Sequence, residues 1–174
     1  DYIGQDYEYI AGEMVDVVSN WNASEVAQNV GSFIREYIRR NKIAGWVTGA
    51  NGGYRIAGER YIPDVAYISR AKQPKRFKGA YNPTPPDLAI EVVSDESTER
   101  EQGQLRIKIM NYISEGVVVC VISPGEQRVE IYQPNQPVQQ IGIDGVVDAT
   151  PILPGLKIAV SDILADLNDD KDDE

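Results

Sequence analysis

The sequence predicts an α/β (α+β) domain, a central mixed β-sheet flanked by helices. Three observations carry this. Two segments place apolar residues at helical spacing. Short runs such as Val117-Val118-Val119-Cys120-Val121-Ile122 are apolar throughout, as strands buried on both faces are. The order along the chain is helix, several antiparallel strands, helix, then more strands. A length of 174 residues suits one domain with a sizeable core, taken as 1–165, followed by an acidic tail over 166–174 that is expected to be disordered.

Tyr7-Glu8-Tyr9-Ile10 and Glu13-Met14-Val15-Asp16-Val17 are strand-like pieces around a turn at Gly12, which predicts a hairpin. Asn22, three residues before Glu25, is a capping signal for the helix that follows. Val26, Val30, Phe33 and Tyr37, with Ala27, Ile34 and Ile38, form its apolar stripe, and Arg35, Glu36, Arg39 and Arg40 fall mostly outside it. Trp46-Val47-Thr48, Asn51-Gly52-Gly53 and Tyr54-Arg55-Ile56 then make a hairpin signature. A strand over 64–68 follows, and 69–86 is too polar for a core element and predicts a long loop. The strand Leu88-Ala89-Ile90-Glu91-Val92-Val93 comes next. Thr98 and Glu101 have the capping-box spacing that opens a second helix, with Leu105, Ile109, Tyr112 and Ile113 on its apolar face and Gly116 as its stop. The run 117–122 is a strand, turned by Pro124-Gly125 into another over 128–132. The remainder predicts a last strand or two and a short helix at Ser161-Asp162-Ile163-Leu164.

Composition excludes whole classes of chemistry. The chain has no histidine, which removes Ser-His-Asp and Cys-His nucleophile systems, histidine bases and most zinc sites. Catalysis must then run on carboxylates, lysine, tyrosine or a hard, oxygen-bound metal such as magnesium or manganese. No stretch approaches the ~20 apolar residues of a membrane span. The single cysteine, Cys120, forms no internal disulfide and has the setting of a small core hydrophobe. With no signal-peptide pattern, a reducing cytoplasm is the expected compartment.

The net charge of −10 does not exclude nucleic acid. Asp166, Asp169, Asp170, Asp172, Asp173 and Glu174, against Lys171 alone, supply half of it. Arg70, Lys72, Lys75, Arg76 and Lys78 cluster with no acid among them, with Phe77 and Tyr81 interleaved. Such a strip can neutralise phosphates without regard to base sequence, or serve as an ordinary solvated loop.

Glu91 is the residue most in need of a reason. An ionised carboxylate in a buried strand costs several kcal/mol or more unless a proton, a cation or a metal compensates it. Asp64, in Pro63-Asp64-Val65-Ala66-Tyr67-Ile68, has a similar setting. Alternate strand residues share a face, so side-by-side pairing would bring both carboxylates to one point. A magnesium ion needs one or two carboxylates, and the carbonyl of Val92 is a natural third protein ligand. The competing view of Asp64 is a solvated acid at a strand entrance. Lys108, one turn after Gln104 and one before Tyr112, can project over the sheet toward Glu91 and stabilise charge building on a phosphate. Its alternative role is a surface lysine whose stem covers the core edge.

Pro63-Asp64, Pro86-Asp87-Leu88-Ala89-Ile90-Glu91-Val92-Val93-Ser94, Lys108 with Tyr112, Gly116-Val117 and Leu153-Pro154-Gly155 resemble the Uma family of restriction-endonuclease-like proteins, within the PD-(D/E)xK nuclease superfamily. The resemblance spans nearly the whole chain. It implies a restriction-endonuclease-like core and a metal-dependent phosphodiesterase, with Asp64 as the acid of the PD motif and Glu91 as that of the next strand. Where the superfamily pattern has lysine, two residues after Glu91, this chain has Val93, and Lys108 matches a lysine moved to the helix. An acid on the first helix is matched by Glu25, which also suits a helix N-terminus simply as an acid. Asp87, four residues before Glu91, shares its face but stands ~13 Å away along the strand. It and Gln104 are accessory candidates. A homodimer is implied by the resemblance alone.

The leading expectation is a magnesium- or manganese-dependent endonuclease acting on DNA, with Asp64, Glu91 and the Val92 carbonyl on the metal and Lys108 as catalytic helper. Val93 and the acidic balance keep open a catalytically weakened nucleic-acid-binding or structural protein on the same fold. A glycosidase using the two acids is a third reading, without an aromatic sugar platform to support it.

Overall fold

The computed structural model describes residues 7–17, 20–165 and 167, so the expected tail lies outside the described residues apart from Leu167. In chain order the elements are β1 (Tyr7–Ile10), β2 (Glu13–Asp16), α1 (Trp21–Arg40), β3 (Gly45–Gly49), β4 (Gly53–Ile56), β5 (Glu59–Tyr61), β6 (Val65–Ser69), β7 (Tyr81–Asn82) and β8 (Leu88–Val92). Then come α2 (Glu99–Ser114), β9 (Val118–Ser123), β10 (Arg128–Tyr132), β11 (Gln139–Gly142), β12 (Val146–Asp148), β13 (Lys157–Ala159) and the short α3 (Val160–Ile163).

A six-stranded mixed sheet, in the order β11-β10-β9-β8-β6-β3, forms the middle layer. Its β8 and β9 are parallel, which requires a crossover, and α2 supplies it. Side chains alternate along these strands. Leu88, Ile90, Cys120 and Ile122 pack on one face against Val26, Val30 and Ile34 of α1 and Ile163 of α3. Ala89, Val119 and Val121 pack on the other against Ile109 and Tyr112 of α2 and against Ile10, Tyr54 and Tyr61. Those last residues come from a five-stranded sheet, β2-β1-β5-β4-β7, which shares the second face with α2. Burial on both faces is why β9 reads as an apolar run, and β8 as one broken only by Glu91.

The helix boundaries have local causes. Thr98 caps α2 with a full capping box: the Glu101 N–H donates to Thr98 Oγ1 at 3.2 Å, and the Thr98 N–H donates to Glu101 Oε2 at 2.6 Å. Gly116, with φ of 78°, follows the C-cap and lets the chain leave the helix in the left-handed region.

Four expectations need correction. The cap of α1 is Asn20, which accepts the Ala23 N–H at 2.8 Å, whereas Asn22 lies inside the helix and is exposed. Residues 46–56 do not form a hairpin. β3 pairs with β6 in the six-stranded sheet and β4 with β5 in the other, so Asn51-Gly52 carries the chain between layers. The hairpin is β4–β5, turned by Ala57 and Gly58, both at positive φ. The segment 69–86 contains β7, which adds to β4 in parallel, and the C-terminal part has three strands rather than one or two.

Candidate active site

The register of the middle sheet builds the site. β6 and β8 are antiparallel with Val65 opposite Ile90 and Ala66 opposite Ala89. Continuing that register past the last pair sets Asp64 opposite Glu91 and Pro63 opposite Val92. Opposed residues project to the same face, here the one beneath α2. The Val93 N–H donates to Ile122 of β9, so alternation turns the Val92 N–H and carbonyl toward β6. There Pro63 has no N–H to offer, and the Val92 carbonyl gets no ladder donor from it. The Val92 N–H instead donates to Asp64 Oδ2 at 2.7 Å. Proline before the acid therefore opens the ladder at the point where the two carboxylates meet.

Lys108 closes the site from α2. Its Nζ lies 2.8 Å from Glu91 Oε1 and 2.7 Å from Glu8 Oε1. Glu8, Glu91 and Lys108 are 8 %, 7 % and 5 % exposed, so these are contacts in a dry setting. Glu8 Oε1 also accepts the Ile62 N–H at 2.7 Å, which fixes the chain just before Pro63-Asp64. Tyr112, one turn after Lys108, donates its hydroxyl to Glu91 Oε1 at 3.1 Å. Behind Tyr112 stands Tyr61, edge-on at 5.3 Å between ring centroids, and its ring centroid lies 5.6 Å from Lys108 Nζ.

Burial dominates the electrostatics. It pushes the Glu91 carboxyl up to about 8, against the pull of Lys108 and with a further push from Glu8 and Asp64. Asp64 is raised for the same first reason, partly offset by the Val92 N–H and Lys108. For Lys108, burial favours the neutral amine, but Glu91 and Glu8 outweigh it and its pKa is raised. Tyr112 is raised well above the usual phenol value by burial and then by Glu91. One ammonium is thus set among three carboxyl groups, and without a further cation Glu91 keeps its proton at neutral pH.

A cleft of about 170 Å³ opens onto these groups, lined among others by Glu8, Asp64, Glu91, Val92, Gln104 and Lys108. The donors suit a hard cation: two opposed carboxylates raised by burial, and beside them a carbonyl without a ladder donor from Pro63. Asp64, Glu91 and Val92 are the residues that would hold magnesium or manganese. Among the described residues, no group of three or more acidic, cysteine or histidine side chains is disposed to hold an ion by itself.

The structure thus brings together Asp64, Glu91, Val92 and Lys108, with Gln104 on the wall. Glu25, half-buried on α1, is not among the cleft residues. Neither is Asp87, whose Oδ2 accepts the Ser69 N–H at 2.6 Å and so ties down the end of β6. Arg70, Lys72, Lys75, Arg76 and Lys78 are all exposed and away from this cleft. Glu8 was missed from sequence. The signal is its period-two phase with Ile10, which is buried, while Tyr9 between them is exposed.

A solved structure shares this fold. It is the crystal structure at 1.96 Å resolution of a "putative nuclease belonging to DUF820" from Anabaena variabilis ATCC 29413, with a TM-score of 0.80 and 18 % identity, over 92 % of this chain and 90 % of that one. No curated protein matches the chain. Residues 2–161 match the model of the Uma2 family, described as "putative restriction endonuclease", and the chain belongs to that family.

Proposed function

We propose that the chain is a magnesium- or manganese-dependent endonuclease that hydrolyses phosphodiester bonds of DNA in this cleft. The observation that carries the reading is the meeting of Asp64 and Glu91 at the end of the β6–β8 ladder, with Lys108 Nζ 2.8 Å from Glu91. Membership of a restriction-endonuclease family supports it.

When bound, the metal would supply Lewis acidity toward the scissile phosphate and lower the pKa of a water molecule. The chain's own residues have separate tasks. Asp64 and Glu91 bind the ion, and the Val92 N–H keeps Asp64 in its rotamer. Lys108 directs a buried positive charge at the cleft, where charge builds on the phosphate in the transition state. Glu8 holds the ammonium in place and keeps it charged. Tyr112 orients Glu91 by donating to it. Cleavage of both strands of a duplex would take two such sites, which a homodimer supplies. Cys120, a free thiol pushed up to about 12 by burial, suits a reducing cytoplasm. No helix among the described residues is long and apolar enough to cross a membrane.

Incubation of the purified protein with supercoiled plasmid and magnesium or manganese tests this. Nicked and linear products are expected from the wild type, and none from Asp64→Asn or Glu91→Gln variants with unchanged circular dichroism. Equal cleavage by those variants would remove the assignment.

One observation favours the second reading, a weakened nucleic-acid-binding protein. The Lys108 ammonium already compensates Glu91, so an ion must compete with it. Absence of magnesium or manganese binding at millimolar concentration would select that reading.

A further inference from the structure

A second groove, of about 530 Å³, runs along β3, with Arg35 and Arg39 of α1, Trp46 and Thr48 of β3, and Arg76 and Phe77 of the loop between β6 and β7 in its walls. We infer that it binds a single-stranded stretch of DNA, with phosphates on the arginines and an unpaired base on Phe77. The choice of DNA rests on the nuclease reading above; the groove's chemistry does not.

Charge is the first argument. On a chain of net charge −10, this groove has three arginines and no carboxylate among its lining residues. None of Arg35, Arg39, Arg70 and Arg76 forms a salt bridge among the described residues, where the ion pairs run Arg40–Glu36, Arg100–Glu13, Arg128 with Glu126 and Glu130, and Lys108 with its two acids. Asp87 is felt at the groove through Tyr54, yet its carboxylate is taken by the Ser69 N–H.

Preorganisation is the second. The Arg70 and Arg76 guanidinium carbons lie 4.1 and 4.9 Å from the Trp46 ring centroid, and the indole N–H donates to the Gln73 carbonyl at 3.0 Å. The cations are thereby held at the groove rather than left to sweep through solvent. Phe77 is 38 % exposed and lies over Gly79, where an added Cβ would come within 2.5 Å of its ring. An exposed aromatic face beside fixed cations is the pattern that stacks unpaired bases while neutralising their backbone. A duplex cannot use that face, because its bases stack on each other.

Continuity with the site is the third. Arg35 and Thr48 also line a smaller cleft, of about 90 Å³, that reaches Asp64. From Trp46 to Gly49 the strand advances roughly 10 Å. A strand seated in the groove therefore leads to Asp64, just before β6, on the α1 side of the sheet.

Fluorescence anisotropy with a labelled oligothymidylate in EDTA, where no cleavage can occur, tests the groove apart from catalysis. The wild type is expected to bind. The double variant Arg35→Gln with Arg39→Gln should weaken binding at least tenfold and make the slope of log K against log salt shallower by about 1.4. Phe77→Leu, which keeps an apolar side chain, should weaken it by about 5- to 150-fold, and Phe77→Tyr should restore it. Unchanged binding in both the double variant and Phe77→Leu overturns the inference, as does equal or tighter binding of a duplex or of oligouridylate. If the groove variants lose oligothymidylate while the wild type cuts no DNA with either metal, the nuclease reading fails and the groove stands. If Glu91→Gln loses cleavage while the groove variants bind normally, the groove alone falls.

Discussion

Lys108 Nζ and Glu8 Oε1 are 2.7 Å apart across one hundred residues of chain, so the first strand and the second helix are tied together at the mouth of the site. The pair also sets the charge balance there. Glu8 helps keep Lys108 protonated, and Lys108 makes two buried carboxylates tolerable. A change at any one of Glu8, Glu91 and Lys108 leaves the others short of a partner.

Replacing Lys108 by Met should therefore destabilise the protein by about 3–5 kcal/mol, the cost of breaking a buried ion pair from one side. Urea unfolding at pH 7 measures it. The double variant Lys108→Met with Glu8→Gln should recover part of the loss, because one stranded charge is gone. A cost below 1 kcal/mol for the single variant would show that the ammonium is not buried between the two acids.

Stability should fall as pH rises across the range set by Glu91. Its carboxyl titrates near 4.5 when unfolded and at about 8 when folded. Between those values the folded state holds a proton that the unfolded state has lost, so the stabilising effect present at low pH disappears toward pH 8. Melting temperatures of the metal-free wild type should decline over that window, and those of Glu91→Gln should decline less. Parallel profiles for the two proteins would contradict the raised carboxyl.

Asp64 separates two roles by the choice of substitution. Asn keeps an oxygen for the Val92 N–H and should cost under ~1 kcal/mol, while Ala leaves that donor without its partner and should cost about 1–3 kcal/mol. Both should abolish plasmid cleavage. Loss of activity in Ala but not in Asn would make Asp64 a backbone clamp rather than a metal ligand.

Tyr112→Phe removes the hydroxyl that donates to Glu91 and should cost about 1–3 kcal/mol in thermal unfolding, since the acceptor is buried and is left without that donor. Cleavage should drop while persisting, because the metal-binding oxygens remain. A complete loss of cleavage in a folded Tyr112→Phe protein would give the phenol a direct part in the reaction.

Much of this architecture is legible in the sequence where local chemistry decides it. The capping box at Thr98 and Glu101, the stop at Gly116 and the apolar stripe of α1 each depend on neighbours within one or two turns. The double-faced burial of β8 makes Glu91 conspicuous, and chain order offers Asp64 as its partner. What depends on register between distant segments is not legible. Trp46 and Tyr54 look like two arms of a hairpin, yet the sheet partner of each lies elsewhere. Glu8 joins the site only because β1 is stitched to β5 next to Ile62, and no local pattern specifies that pairing. Asp87 follows a proline as Asp64 does, but it stands at the other end of β8, where its carboxylate serves the backbone of Ser69.

Crystals soaked in manganese, with anomalous diffraction collected above the manganese edge, test whether Asp64 and Glu91 hold a metal ion. A single peak is expected within coordinating distance of both Asp64 and Glu91 and beside the Val92 carbonyl, with Lys108 still at the rim of the cleft. A map without a peak there at millimolar manganese, with Lys108 Nζ still seated on Glu91 Oε1, would contradict metal binding by the two acids.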